Sequence, residues 1–420
     1  MSASKAEVVV VGGGAAGIGA ARRLHDAGID TLLIEARSRL GGRAFTSIEG
    51  GYPVDLGCGW FHSAEQNPWP SIAQAQGHAV DKTRPPWQRP SNTAGFPVAE
   101  QQEFQRARNS FHERMEHADL TGADLPTSIF LDPSSRWNPL INATNSYVTG
   151  AETDKVSTRD LMAYEDTEEN WRAPDGYGTI VAAHGAGLQA AGLQTTRLNV
   201  AFNCVAEKID WAGKQTRVQT SAGVIEADRI VVALPSAVLA QRPEIFAPLL
   251  PDKTEAAIGL PLGLADKLFF SLANAEEFDT ESRAFGRKDR TATAIYHMRP
   301  FGRPLIECYF GGACADELEI GGQAAFADFA AAELADLFGN DFRRRLSALP
   351  MHLWRSDRLA RGSYSYATPG NAGCRAMLAS PVADRLYFAG EACSPNFFST
   401  AHGAYLSGIT AAEQIIASRR

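Results

Sequence analysis

The chain has 420 residues, 45% of them hydrophobic and evenly spread, which is too long for one ordinary core and suits two domains. Its formal net charge of -8 argues against a nucleic-acid partner and mildly favours cationic ligands. No run approaches the roughly 20 apolar residues of a membrane span, and Cys58, Cys204, Cys308, Cys314, Cys374 and Cys393 lack the paired spacing of a zinc site or disulfide framework. Reduced thiols are therefore expected. The histidines, among them His62, His297 and His402, form no metal-ligand pattern, so no metal is expected. Met1 to Glu7 runs straight into an apolar segment without a cleavable leader, which makes a cytoplasmic location the default.

The first element is a strand, Val8-Val9-Val10-Val11, opening into Gly12-Gly13-Gly14-Ala15-Ala16-Gly17. Gly12 permits the tight turn, Gly14 lets backbone approach a pyrophosphate at the helix N-terminus, and Gly17 lets that helix pack on the sheet. Leu32-Leu33-Ile34-Glu35 closes the unit with a carboxylate at the interval of about 20 residues expected of a ribose-binding acid. That acid disfavours a 2′-phosphate. Ala36-Arg37-Ser38-Arg39-Leu40-Gly41-Gly42-Arg43 continues with further glycines and arginines that a nicotinamide site does not require. This run resembles the signature of the flavin-dependent amine oxidase family, which includes monoamine oxidases, polyamine oxidases and flavin histone demethylases. The resemblance implies FAD, with Ala16, Ala36, Arg37, Gly42 and Arg43 along its pyrophosphate and flavin.

Further along, Val54-Asp55-Leu56-Gly57-Cys58-Gly59-Trp60-Phe61-His62 is a second glycine-spaced segment of the cofactor half. Gly57, Cys58, Gly59 and Trp60 are expected at the cofactor. With the later Asn67-Pro68, Trp60-Phe61-His62 resembles the Trp-x-His segment of polyamine oxidases, which implies His62 near the amine. Cys58 and Ser63 depart from that pattern. Pro85, Pro86, Pro90 and Pro97 break regular structure between Thr83 and Pro97. From Glu100 to Ala118, Phe104, Phe111 and Met115 recur at helical spacing, the ordinary signature of a packed stripe.

Strand signals return at 205–211, 217–220 and 227–235. On residues alone Val205 is a core valine; the resemblance makes it an adenine contact through its backbone. Lys267, amid the apolar strand Leu264 to Phe270, reads on residues alone as a surface-facing lysine, because burying an ammonium is costly. The family places a lysine here, bonded through water to flavin N5. The last third matches most densely. Trp354 and Gly362-Ser363-Tyr364 resemble the segment before the final cofactor motif, where a monoamine oxidase carries a flavin-linked cysteine at the position of Ser363. Serine cannot form that thioether, so FAD is expected to be non-covalent. Tyr364 matches one wall of the aromatic cage; the other aligns with Thr400, as in the polyamine oxidase branch. Gly390 and Glu391, with Thr400 and Ala401, complete the implied cofactor contacts.

The expected fold is α/β. A Rossmann-like FAD-binding domain of glutathione-reductase type, residues 1–80, 178–258 and 353–420, is interleaved with an α+β substrate domain, residues 81–177 and 259–352. Lys267, Tyr364, Trp60, His62 and Thr400 are the catalytic candidates. The implied reaction takes a small-molecule amine to an imine and then an aldehyde, with O2 leaving as hydrogen peroxide. An L-amino-acid oxidase with an arginine clamp, an amine dehydrogenase, and a non-catalytic flavin protein remain open. Sequence sets no oligomeric state, a homodimer being among those open.

Overall fold

The computed structural model describes residues 4–89, 94–190 and 198–419. Pro90 and the stretch Met1 to Ala3 lie outside the described residues. In chain order, β1 (Ser4–Val11), α1 (Ala15–Asp26) and β2 (Thr31–Ile34) are followed by the hairpin β3 (Thr46–Glu49) and β4 (Tyr52–Asp55). The longer helices of the next stretch are α2 (Val98–Glu116), α3 (Asn138–Thr149) and α4 (Tyr177–Ala190). The strands β5 (Leu198–Ala201), β6 (Ala206–Asp210), β7 (Thr216–Thr220), β8 (Gly223–Val232) and β9 (Phe246–Ala247) precede β10 (Ala265–Leu272), β11 (Ser282–Phe285), β12 (Ile295–Met298) and β13 (Leu305–Gly311). The chain ends with α5 (Gly312–Phe338), β14 (Leu346–Ala348), β15 (Leu386–Phe388) and α6 (Ala401–Ser418).

The first sheet runs β5-β2-β1-β8-β7-β6-β9, with β15 beside β8. Strands β1, β2, β5 and β15 enter it in parallel, whereas β6, β7 and β8 form an antiparallel meander. Val8 and Val10 pack into one core and Val9 and Val11 into another, so the unbroken valine run is a strand covered on both faces. Bare backbones bring the two ends of the chain together. A Cβ on Gly408 would lie 1.9 Å from the Ala16 carbonyl oxygen, and one on Gly19 would lie 2.5 Å from that of Tyr405, so α6 can seat directly on α1.

The second sheet is antiparallel, β11-β12-β13-β10-β14. Alternation divides its faces. Leu268, Phe270, Tyr296, Ile306, Cys308 and Phe310 pack with Phe326, Ala330 and Leu334 of α5. The opposite face carries two cross-strand rows: Lys267, Tyr309, Ile295 and Phe285, then Phe269, Glu307, His297 and Arg283. Phe285 and Ile295 of this face pack with Phe104 and Phe111, so the helical stripe read from the sequence is core, as its spacing suggests. Among the described residues no helix is long and apolar enough to cross a membrane, and no group of His, Cys, Asp or Glu could hold a metal ion.

Candidate active site

The turn after β1 supplies an anion cradle made of backbone. Gly12 adopts φ +107°, and α1 begins with Gly14 as N-cap and no side-chain cap, leaving its first amides to an outside acceptor. Gly42, at φ +58°, faces Gly14; a Cβ on Gly42 would lie 3.2 Å from the Gly14 Cα. Two glycine turns thus border one side-chain-free space. The Glu35 carboxylate is aimed by the Gly13 amide at 2.6 Å and the Arg37 amide at 2.7 Å, with lone pairs left for ribose hydroxyls. Arg43, Gly390 and Glu391 line one cavity with Leu234 and Pro235. These features fit FAD: α1 and the glycine turns would take its pyrophosphate, and Glu35 a ribose.

Several residues read as ligands also make bonds within the protein. The Arg37 guanidinium pairs with Asp357 at 2.7 Å, so only its backbone joins the cradle. Trp354 is buried beneath Gly57, its indole N–H donating to the Leu56 carbonyl at 2.9 Å. The Val205 amide donates to Ser221 Oγ and its carbonyl accepts the Ser221 amide with one lone pair, leaving the second for an outside donor. Thr400 caps α6, accepting from the Gly403 amide at 3.0 Å and donating to the Phe397 carbonyl at 2.6 Å, so its hydroxyl serves the helix start. The Ala401 carbonyl accepts from the Trp69 indole. The Glu391 carboxylate is held by Arg43, the Ser365 hydroxyl and the Ser399 amide, so it fixes the loops around the cradle. A Cβ on Gly57 would sit 1.8 Å from the Arg43 carbonyl oxygen, so that glycine serves close packing of two segments. Cys58 packs half-buried beside the first core.

A second cavity is lined by Asp55, Gly59, Trp60, Arg172, Lys267, Phe301, Arg303 and Glu307. Contrary to the residue-level expectation, Lys267 faces inward and is only 6% exposed. Its Nζ lies 3.0 Å from Glu307 Oε1, and a Cβ on Gly59 would come within 3.1 Å of it. Burial alone would lower the lysine pKa, but Glu307, then Tyr309 and Asp55, outweigh that and hold it above its ordinary value. Burial likewise opposes ionisation of Glu307, yet Lys267 and His297 hold its carboxyl far below the usual range. Asp55 lies the other way: burial raises it, against Lys267, the Thr46 hydroxyl and the Tyr177 and Gly178 amides. The pair continues outward. His297 Nε2 lies 2.7 Å from Glu281, which also meets Arg172 at 2.9 Å, and these cations outweigh burial to hold Glu281 at about 2.

Trp60 is the tryptophan on this cavity's lining, and Tyr364 and His62 have contacts of their own. Trp60 meets Trp87 edge to face with centroids 4.4 Å apart, and the Arg172 guanidinium lies 4.5 Å over its ring. Tyr364 donates to the Tyr147 carbonyl and its hydroxyl meets that of Tyr309 at 3.1 Å. His62 Nδ1 lies 2.6 Å from Asn170 Oδ1, whose amide nitrogen donates to the Glu168 carbonyl. That orients Asn170 as acceptor, so Nδ1 carries the proton and Nε2 keeps its lone pair. Burial pushes the His62 pKa down, against Asn170 and Asp166, and Lys267 adds to the lowering.

The family model for flavin containing amine oxidoreductases matches residues 15–416. The chain belongs to that family. FAD is the cofactor. Polyamine oxidase 2 of Arabidopsis thaliana is 27% identical over 98% of this chain and 88% of its own. Polyamine oxidase 3 of Oryza sativa subsp. japonica is 27% identical over 97% and 88%. The solved structure of wild-type putrescine oxidase bound to putrescine superposes with a TM-score of 0.80 at 18% identity, covering 99% of this chain and all of that one, which shows the shared fold.

Sequence reading of this amine oxidoreductase missed Glu307, His297, Asp55, Arg172 and Tyr309. One signal was available: Glu307 and Tyr309 alternate with Ile306, Cys308 and Phe310, which marks a polar strand face able to meet Lys267. Ser363 Oγ accepts from the Ala265 amide at 2.9 Å and donates to the Ala265 carbonyl at 2.8 Å, tying this segment to β10. Ser363→Cys is therefore expected to lower stability by about 1–3 kcal/mol and to leave FAD extractable by acid, read by a denaturant melt and by yellow colour in the supernatant.

His402 sets a pH prediction for the oxidoreductase. It is 1% exposed, and burial, with a smaller contribution from His62, pushes its pKa down to about 3. The unfolded chain takes up its proton near the ordinary 6.5 while the folded chain does not. Stability from this group is complete above about pH 6.5 and drains as pH falls, by about 2 kcal/mol at pH 5. His402→Gln is expected to flatten the acid limb of a melting-temperature profile; an unchanged limb would remove His402 as its source.

Proposed function

We propose that the protein oxidises a primary or secondary amine, passing electrons to dioxygen, with FAD non-covalently held in the β1–α1 cradle and the amine presented among Trp60, His62 and Tyr364. The observation that carries this reading is the charged, buried Lys267 opening onto a cavity walled by Trp60. Bound FAD supplies the two-electron acceptor for the carbon next to nitrogen. The residues do the rest. Aromatic walls disfavour an ammonium and so favour the neutral amine whose lone pair assists C–H cleavage. His62 Nε2 accepts a hydrogen bond from that amine and fixes its orientation. Lys267 stabilises the negative charge that builds as dioxygen takes electrons, and holds water for hydrolysis of the imine.

In balance, amine, dioxygen and water give aldehyde, a shorter amine or ammonia, and hydrogen peroxide. No general base is assigned, because loss of hydride from a neutral amine needs none. Polyamines come first among substrates to try, on the Trp60-Phe61-His62 segment and the names of the relatives. The six free cysteines support a reducing, cytoplasmic setting. A peroxide assay with putrescine, spermidine, spermine, benzylamine and L-amino acids tests the reading. Peroxide and aldehyde with an amine are expected; turnover of L-amino acids alone would move the assignment to a carboxylate-clamping enzyme, and silence across the panel would remove it.

A further inference from the structure

A line of buried charges runs outward from Lys267, and oxidation of the amine makes no use of its outer members. Lys267 Nζ lies 3.0 Å from Glu307 Oε1, Glu307 Oε2 lies 3.5 Å from His297 Nδ1, and His297 Nε2 lies 2.7 Å from Glu281. Arg172 closes the line, 2.9 Å from Glu281 and 3.1 Å from Asp81. Positive and negative groups alternate throughout. Lys267, Glu307 and Arg172 line the second cavity, so the line borders the space beside the lysine. Its middle crosses strands by register: Glu307 on β13 stands opposite His297 on β12, and His297 stands opposite Arg283 on β11.

A buried ionic chain is weak evidence of stability, because apolar residues of similar volume often serve as well. Two features give this one a direction. His297 presents both ring nitrogens to carboxylates, the arrangement in which imidazole takes a proton on one nitrogen and gives one from the other. Burial opposes its charge, but Glu281 and then Glu307 outweigh burial, so the ring keeps its proton to a higher pH than a free imidazole. Glu281 brings the line to the surface. It follows the exposed Asp279 and Thr280, and its backbone is left-handed at φ +63°, a costly conformation of the kind that clusters at working sites. The Phe301 amide, at 2.5 Å, and Arg172 fix its carboxylate beside His297.

Formation of hydrogen peroxide needs a proton path. Dioxygen takes up two electrons and two protons, while the hydride equivalent lost by the amine brings two electrons and one proton. The second proton must come from the protein in each turnover.

We propose that Glu281, His297 and Glu307 form a proton relay that recharges Lys267 as dioxygen is reduced. This rests on the amine-oxidising reading and deepens it. Lys267 gives an Nζ proton to the reduced oxygen. Glu307 takes the Nδ1 proton of His297 on Oε2 and, by turning its carboxyl, delivers it to Nζ. His297 takes a proton on Nε2 from Glu281, which takes one from water at the surface. The sum moves one solvent proton to peroxide and leaves the relay unchanged. Each carboxylate holds the proton only in passage, because cations flank both. Arg172 stays charged and positions Glu281 without carrying a proton.

The test reduces the yellow protein photochemically and mixes it with air-saturated buffer, so it needs no amine. His297→Gln is expected to slow reoxidation about tenfold or more and to make it sensitive to D2O. Wild-type reoxidation should fall with a one-proton slope as pH rises through the His297 pKa, a limb missing from the variant. Added imidazole should restore His297→Ala, which leaves room for it, and not His297→Gln. Wild-type rates in both variants, or a slow His297→Ala that imidazole does not restore, would overturn the relay. Equal slowing of anaerobic bleaching by amine would mark a structural defect and overturn it as well. Should neither variant hold FAD, wild type decides, and a rate that is flat between about pH 6 and 10 overturns the relay. No bleaching by any amine, with the relay's signs intact, strikes the amine-oxidising reading alone.

Discussion

Lys267→Met is expected to slow reoxidation of the reduced protein by dioxygen about 100-fold or more, with FAD still bound. The change removes the ammonium and leaves its stem. Glu307, 3.0 Å away in the native chain, then keeps only His297, and Asp55 loses its nearest cation. Breaking one side of a buried pair costs about 3–5 kcal/mol, so lower stability should accompany the kinetic loss. The two effects separate in Lys267→Met/Glu307→Gln, which restores a matched cavity without restoring charge. Stability should recover and reoxidation should not. Stopped-flow mixing of reduced protein with air-saturated buffer reads the rate, and a denaturant melt reads the stability. Wild-type reoxidation in both variants would dismiss Lys267 from the dioxygen step.

The glycine turn yields a contrast of similar size. A Cβ on Gly17 would lie 1.8 Å from the Gly12 carbonyl oxygen, and no rotation relieves a clash between main-chain positions. Gly17→Ala is expected to push α1 off β1 and give insoluble or colourless protein. At Gly14 the nearest atom to a new Cβ is the Gly42 Cα at 3.9 Å, and the backbone is extended at φ -76°. Gly14→Ala should fold, while its methyl enters the cradle and weakens FAD by about 10–100-fold, the equivalent of 1–3 kcal/mol of overpacking. Melting temperature with and without added FAD distinguishes them. Equal behaviour of the two variants would mean that the cradle lies elsewhere.

Local chemistry was legible in sequence because it is written in consecutive residues. The valine strand, Gly12, Gly14 and Glu35 follow one another along a strand, turn, helix and strand, and the fold brings them to one turn. The stripe of α2 was legible for the same reason. What spacing could not show is which polar groups meet across strands. Lys267 pairs with Glu307 through the β10–β13 register, and Glu307 in turn faces His297 through β12; no short motif contains all three. Resemblance named Trp354, Val205 and Thr400, but not the bonds they make within the fold, to Leu56, to Ser221 and to the start of α6.

Anaerobic titration of the purified yellow protein with a substrate amine tests most directly whether this fold oxidises amines. The flavin band should bleach in proportion to amine added, and admitting air should restore it with one hydrogen peroxide formed per amine consumed. A band that stays oxidised with every amine offered, in protein that has taken up FAD, would contradict the assignment.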